Sequence, residues 1–367
     1  DDVKIASAKS LLRRVDVRVY RNSLHCILPP FILEKMAQSA DAEVRKQALD
    51  AIAASAEARA IRRTLTAVPA MSAVPSPAAR KHRLIYDMEN RPAFYLPGDL
   101  VRSEGDPNVK DPAVNEAYRN SGYTYDFYEK IYGRNSLDGR GMSLISSIHI
   151  GVKYNNAFWN GEQMAYGDGD GRLFKRFTRS LDVVGHELTH GVVTHTSNLE
   201  YEDEPGAVNE HFADVMGTLV KQWRKRQNVK QANWLIGDDI MFKAATRRAL
   251  RSMSAPGTAY ENDPYIGSDP QPAHMKNRYK GSEDYGGVHI NSGIPNHAFY
   301  LAAMKIGGYA WSKAGLIWYK TLLGLTQRSQ FIDAAVTSYH IAGAEFGNGS
   351  REQRAVRSAW KKVGLSV

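Results

Sequence analysis

The sequence predicts an α+β chain: a strand-and-turn-rich region, then a helical one, with a small separate unit in front. Three observations predict it. Between Leu84 and about Ser180, short apolar runs alternate with Gly, Asp and Asn turn signals. After Glu210 the chain reads as successive helices with apolar faces, down to Val367. Ahead of both, residues 1–66 are set off by residues 67–79, which are rich in Ala, Pro and Ser and lack periodicity, the composition of an exposed linker open to proteolysis.

In the first unit, Val15 to Tyr20 alternates as a strand does. Pro29-Pro30-Phe31-Ile32-Leu33-Glu34-Lys35-Met36 opens a short helix, since proline is tolerated in a first turn. A second, Ala-rich helix runs from Asp41, its expected N-cap, to about Arg63. In the next region a helix is expected near Ala113–Tyr132 and a strand over Leu144–Ile150, with His149 a structural strand residue. The run Gly167-Asp168-Gly169-Asp170-Gly171 has a Ca²⁺-ligating look, yet it is too short for an EF-hand loop; a hydrogen-bonded turn is expected. Later helices are expected near Ala213–Arg226, Ile294–Ile306, Trp311–Leu325, Gln330–Ala344 and Arg351–Val363. Between them, Asp284 to Gly293 reads as a Gly-rich loop in which His289 follows Asp284 by five residues, close enough for an orienting carboxylate.

The chemistry concentrates in Asp182-Val183-Val184-Gly185-His186-Glu187-Leu188-Thr189-His190. Four residues apart on a helix, His186 and His190 share one face and can hold one Zn²⁺, with Glu187 beside them to act on a metal-bound water. A third histidine six residues past the second is absent, because Thr196 stands there and His195 is one residue early. Gly206-Ala207-Val208-Asn209-Glu210 supplies a carboxylate instead: Glu210 completes a His₂Glu set with an open fourth position, the catalytic rather than structural arrangement. Asp214, one turn further, can accept the other ring N–H of a ligand histidine.

Composition narrows the rest. The chain has 367 residues, a formal charge of +9 and one cysteine. Its basic residues are scattered among acidic ones with no basic arm, so a nucleic-acid partner is not expected. No apolar run is long enough to span a membrane, and no disulfide framework can form within the chain. Asp1-Asp2-Val3-Lys4 has no apolar signal-peptide core, so location is left open.

Together, GHELTH, GAVNEHFAD, NNAFWNG, GDGDG, LRSMS and GGVHINSG resemble the thermolysin family of zinc metallopeptidases, over residues from about 83 to the end. PPFILEKM is similar to the compact propeptide of the protealysin-like subgroup, which NSLDG, WLIG, DPQPAHM and NSGIPN also favour. The resemblance implies a propeptide over residues 1–66 and a linker over 67–82 containing the maturation cut. A strand-rich catalytic lobe over 83–198 and a helical lobe over 199–367 follow, with the zinc helix between them. It implies one catalytic Zn²⁺ on His186, His190 and Glu210, with Asp214 behind a ligand histidine and Glu187 as general base and proton shuttle. Tyr201 and His289 are implied as donors to the developing oxyanion, with Asp284 as partner of His289. Asn156, the Ala157 backbone and Arg251 would hold the peptide main chain; Phe174, Phe177, Val183, Ile236 and Leu250 would line the pocket after the scissile bond. The implied activity is an endopeptidase cutting before bulky hydrophobic residues, held as a latent precursor or with its propeptide still bound. A monomer is expected, in a family that is mostly secreted.

Two departures and one thiol add expectations. Where thermolysin itself gathers carboxylates for two Ca²⁺, this chain has Asp182 and Asp238 but also Lys221, Asn233 and Leu235, so no double calcium site is expected and Lys221 should pair with Asp182. His211, beside the ligand Glu210, should be a packing residue. Cys26 is a candidate latency switch whose thiolate would take the open zinc position, or else an inert buried thiol. The alternative classes are a zinc-containing binding protein that has lost catalysis and a zinc aminopeptidase; an end-blocked peptide separates the latter.

Overall fold

A computed structural model describes residues 24–65 and 80–367. The strand expected at residues 15–20 and the linker at 67–79 lie outside the described residues.

The front unit contributes β1 (His25–Cys26), α1 (Pro30–Ala37) and α2 (Ala42–Leu65). Asp41 caps α2, its Oδ1 accepting the Glu43 and Val44 amides at 3.0 and 3.2 Å. The strand-rich region follows with β2 (Arg83–Asp87), β3 (Asp99–Ser103), α3 (Pro112–Tyr132), β4 (Leu144–Ile148), β5 (Ala157–Trp159) and β6 (Met164–Tyr166). These strands form one mixed sheet in the order β1-β5-β6-β4-β2-β3, so the front unit adds its strand beside β5, at the end of the sheet built by the strand-rich region. His25 stands opposite Trp159 and Cys26 opposite Phe158, antiparallel.

β4 ends one residue before His149, a correction to the expected strand: His149 sits just past it at φ 54°. Its ring nitrogens are held by Asp168 at 2.7 Å and Asp111 at 2.8 Å. The Asp168 hydrogen bond is the main cause raising its pKa to about 9, against the cost of burial, so the ring is a cationic pin between α3 and the Gly-Asp turn. In that turn Asp170 Oδ1 accepts the amides of Arg172, Leu173 and Phe174 at 2.7–2.9 Å, the hydrogen-bonded role expected for it.

α4 (Leu181–Thr194) carries the two histidines and α5 (Asp203–Lys225) carries Glu210. α5 begins ten residues ahead of the expected start, at Asp203 rather than Ala213. Apolar periodicity fails there because Asn209, Glu210 and His211 are buried toward the site rather than turned to water. Two glycines let α4 and α5 touch: a Cβ on Gly217 would lie 2.5 Å from the Asp182 carbonyl, and one on Gly185 would lie 3.1 Å from the Gly217 Cα. That close crossing brings the donors on the two helices within reach of one another.

A two-stranded ribbon, β7 (Leu235–Ile236) with β8 (Arg251–Ser252), precedes the closing helices. These are α6 (Glu283–Asn291), α7 (Gly293–Ile306), α8 (Lys313–Gly324), α9 (Phe331–Phe346) and α10 (Arg351–Lys362). The last four match their sequence expectations to within two residues. No helix among the described residues is long and apolar enough to cross a membrane.

Candidate metal and catalytic centre

Among the described residues, His186, His190 and Glu210 are buried and present donor atoms that all lie within 4.8 Å of one another. Each imidazole is oriented from behind. His186 Nδ1 meets Asp214 Oδ1 at 2.9 Å, and His190 Nδ1 meets Asn209 Oδ1 at 2.9 Å. With Nδ1–H donating to those oxygens, both Nε2 atoms carry lone pairs, and they face each other at 3.1 Å with Glu210 oxygens 3.4–3.5 Å away. Lone pairs converging this closely repel unless a cation lies among them. Glu210 Oε2 is also buried without a hydrogen-bond partner among the described residues. The donor set fits a zinc ion: two neutral imidazoles, one carboxylate and second hydrogen bonds fixing both tautomers.

Glu187, one residue from the first ligand, accepts the Trp159 amide on Oε2 at 3.1 Å, while Oε1 has no partner among the described residues. Burial first, and then the Glu210 charge, push its carboxyl well above the usual range. Across the cleft, His289 Nδ1 is 2.6 Å from Asp284 Oδ1, and Asp284 Oδ2 accepts the His289 amide at 2.8 Å. His289 was expected in a loop. It lies instead on the last turn of α6, behind a left-handed turn at Asp284, Tyr285, Gly286 and Gly287 that lets the Asp284 side chain reach back. Tyr201 donates its hydroxyl to Glu210 Oε1 and lies 3.2 Å from His289 Nε2.

Asp214 does more than orient one ligand. It accepts Arg251 at 2.8 Å through two nitrogens and Asn296 Nδ2 at 2.9 Å, besides His186. Burial opposes its ionisation, but Arg251 and His186 hold its carboxyl well below the usual carboxylate range. Asn296 in turn meets His211 Nδ1 at 2.8 Å, and His211 Nε2 accepts Trp318 at 2.8 Å. His211 is thus a neutral packing residue as expected, its pKa depressed to about 4 by burial. Asn209 and Asn296 were missed by sequence reasoning; the signals were their places beside Glu210 and in the NSGIPN stretch.

The main-chain groups expected to meet substrate meet the front unit instead. Asn156 exchanges hydrogen bonds with Leu28, receiving its amide at 3.0 Å and donating to its carbonyl at 3.3 Å. The Ala157 carbonyl accepts the Ile27 amide at 3.3 Å, Arg251 Nη1 donates to the Ile27 carbonyl at 3.0 Å, and His289 Nε2 lies 2.9 Å from the Cys26 carbonyl. Phe174, Phe177, Val183, Ile236 and Leu250 are all buried. Cys26 sulfur is not among the converging metal-donor atoms, while the His25 ring lies over His190 at 4.4 Å and over Tyr201 at 4.3 Å.

Away from the site, Lys221 is buried among Asp182, Asp238 and Asp239, at 3.1, 2.6 and 3.0 Å. Asn233 Nδ2 donates to Asp238 at 3.0 Å, and Leu235 lies in β7. Asp239 had not been anticipated, although it directly follows Asp238.

Asp214→Ala should strand the buried Arg251 charge. The expected cost is about 3–5 kcal/mol in denaturant unfolding, with zinc affinity falling roughly 10–100-fold in chelator competition.

Comparison with known proteins agrees with this geometry. Residues 77–194 match the model of the thermolysin metallopeptidase catalytic domain, and 197–365 that of its alpha-helical domain. An extracellular metalloprotease of Pectobacterium carotovorum subsp. carotovorum is 48% identical over 79% of this chain and 83% of its own. Protease PrtS of a Photorhabdus species is 47% identical over 78% and 77%. The precursor of protealysin, a metalloproteinase from Serratia proteamaculans, superposes with a TM-score of 0.82 at 44% identity, covering 93% of this chain and all of that one. A two-domain fold, a strand-rich part ahead of a helical part, and a His₂Glu donor set thus converge with the family matches: the chain belongs to the thermolysin family of zinc metalloendopeptidases.

Proposed function

We propose that this chain is the latent precursor of an endopeptidase that cuts before bulky hydrophobic residues, with residues 1–66 as propeptide and the maturation cut within 67–82. One observation carries the reading. β1 lies along the edge strand β5, and the groups suited to grip a substrate backbone grip residues 26–28 instead. A strand added there excludes any other peptide. Behind the strand, α2 and its N-cap are fastened by Arg172 on Asp41 at 2.8 Å, Lys153 on Glu43 at 3.0 Å, and the Ser55 and Tyr154 hydroxyls at 2.7 Å.

In the mature enzyme His186, His190 and Glu210 hold zinc, which supplies a Lewis acid and lowers the pKa of water. The protein's own groups do the remaining work. Glu187 takes a proton from the attacking water and hands it to the leaving amine nitrogen. His289, held by Asp284, and Tyr201 donate to the oxygen as it gains charge, an effect worth several kcal/mol where water is excluded. Arg251, Asn156 and the Ala157 carbonyl fix the main chain on the leaving-group side. The apolar pocket of Phe174, Phe177, Val183, Ile236 and Leu250 selects a hydrophobic side chain there, with Phe177 limiting its size. Latency rests on occlusion by backbone carbonyls, not on a Cys26 thiolate. The substrates are peptides and proteins, nucleic acid plays no part, and the enzyme acts as a monomer. It works outside the cell, as the name of the Pectobacterium relative says of that protein.

Lys221 takes the place of bound cations: its ammonium answers the three carboxylates around it. Millimolar Ca²⁺ should leave the melting temperature of the wild type unchanged. Lys221→Met, which removes the buried ammonium from among those carboxylates, should lose about 3–5 kcal/mol and recover part of it with Ca²⁺. Strong Ca²⁺ stabilisation of the wild type would contradict this assignment.

Cleavage in the linker should switch on hydrolysis of an end-blocked, internally quenched peptide. Glu187→Gln, prepared in parallel, should retain zinc and lose roughly 10²–10⁴-fold in rate. A clipped, folded, zinc-loaded wild type without activity would overturn the peptidase reading.

A further inference from the structure

We propose that the precursor hydrolyses its own Cys26–Ile27 bond; the inference rests on the peptidase reading above. A segment that merely plugs a protease cleft can escape cutting by running backwards or by setting no peptide bond over the catalytic groups. The front strand does neither. The donor assigned to the reacting carbonyl, His289 Nε2, is 2.9 Å from the Cys26 oxygen. The next amide nitrogen along the chain, the one that would leave, is that of Ile27. The same N–H donates to the Ala157 carbonyl at 3.3 Å, and Arg251 grips the Ile27 carbonyl at 3.0 Å. Asn156 then fixes both backbone groups of Leu28. The Ile27 side chain is fully buried, as an apolar side chain in the proposed pocket would be. Every main-chain group from the Cys26 carbonyl to the Leu28 carbonyl thus has a partner of the kind a substrate would need.

The step balances with water as the only co-reactant. Water oxygen bonds to the Cys26 carbonyl carbon, one of its protons passes through Glu187 to the Ile27 nitrogen, and the C–N bond breaks. Cys26 leaves as a carboxylate and Ile27 as an amine. The Ile27 side of the cut stays fastened through Asn156, Arg251 and the contacts of α2 with Tyr154 and Arg172, so the cleaved propeptide still fills the cleft. Cutting and rejoining can then alternate without releasing the site.

The test follows the zinc-loaded full chain by intact mass and N-terminal sequencing, with linker-clipped protein assayed on an end-blocked peptide in parallel. The expected result is a new N-terminus reading Ile27-Leu28-Pro29, formed with a rate constant unchanged by tenfold dilution and absent in Glu187→Gln. Ile27→Asp, which sets a charge in the apolar pocket, should abolish the cut. An end-blocked synthetic peptide spanning Asn22–Glu34, offered to the clipped enzyme, should be cut at the same bond whether or not either variant folds. An intact Cys26–Ile27 bond alongside an active clipped enzyme would overturn the proposal and leave the peptidase reading standing. A rate that rises with concentration would also overturn it, by showing cleavage of one molecule by another. Silence in both assays would sink the peptidase reading itself, and this cut with it.

Discussion

The buried carboxylate of Asp214 is the constraint on which the rest of the centre depends. It faces a metal-ligand imidazole on one side and a two-pronged guanidinium on the other, with the Asn296 amide closing the ring. An ionised carboxylate this deep is costly alone; paired with Arg251 and hydrogen-bonded on both oxygens, it is held ionised. Two functions are therefore tied to one atom group. The orientation of His186 and the placement of Arg251, which donates to the Ile27 carbonyl, cannot vary independently. Through Asn296, His211 and Trp318 the same group is anchored to the helical core, so the metal side of the cleft inherits the rigidity of α7 and α8.

The opposite wall of the cleft is β5, which would be the edge of the sheet without β1, and it poses a different physical problem. β5 has backbone groups to satisfy, and any extended peptide laid beside it gains main-chain hydrogen bonds whatever its sequence. The front strand draws on this property where it pairs with β5. The front unit supplies a strand of only two residues, but the helices behind it anchor it on the catalytic unit, raising its effective concentration far above that of a free peptide. Occlusion of this kind needs no special ligand such as the Cys26 thiolate. Ordinary carbonyl and amide groups suffice once they are tethered.

Much of the centre was legible because its chemistry is local. His186, Glu187 and His190 sit within five residues on one helix turn, and Asp214 follows Glu210 by one turn, so spacing alone placed them. Helices with clean apolar faces were equally readable. What was not legible depended on long-range geometry or on buried polar residues. The start of α5 was missed because its first turns bury Asn209, Glu210 and His211 for function, and such residues look like a solvent face. His149 was placed in a strand, since the carboxylates that hold it past the strand end come from Asp111 and Asp168, far along the chain in opposite directions. No local pattern marks His25 to Leu28 as the segment that enters the cleft, because a four-residue extended stretch gets its identity from Asn156 and Ala157, about 130 residues on.

X-ray absorption at the zinc edge of the full-length precursor tests the central claim most directly, since it reports the atoms around the metal whatever the activity. The account predicts a shell of nitrogen and oxygen only, matching His186, His190 and Glu210, unchanged when Cys26 is replaced by Ser. A sulfur scatterer at about 2.3 Å that disappears in Cys26→Ser would contradict it. That result would put a thiolate where this account places backbone carbonyls.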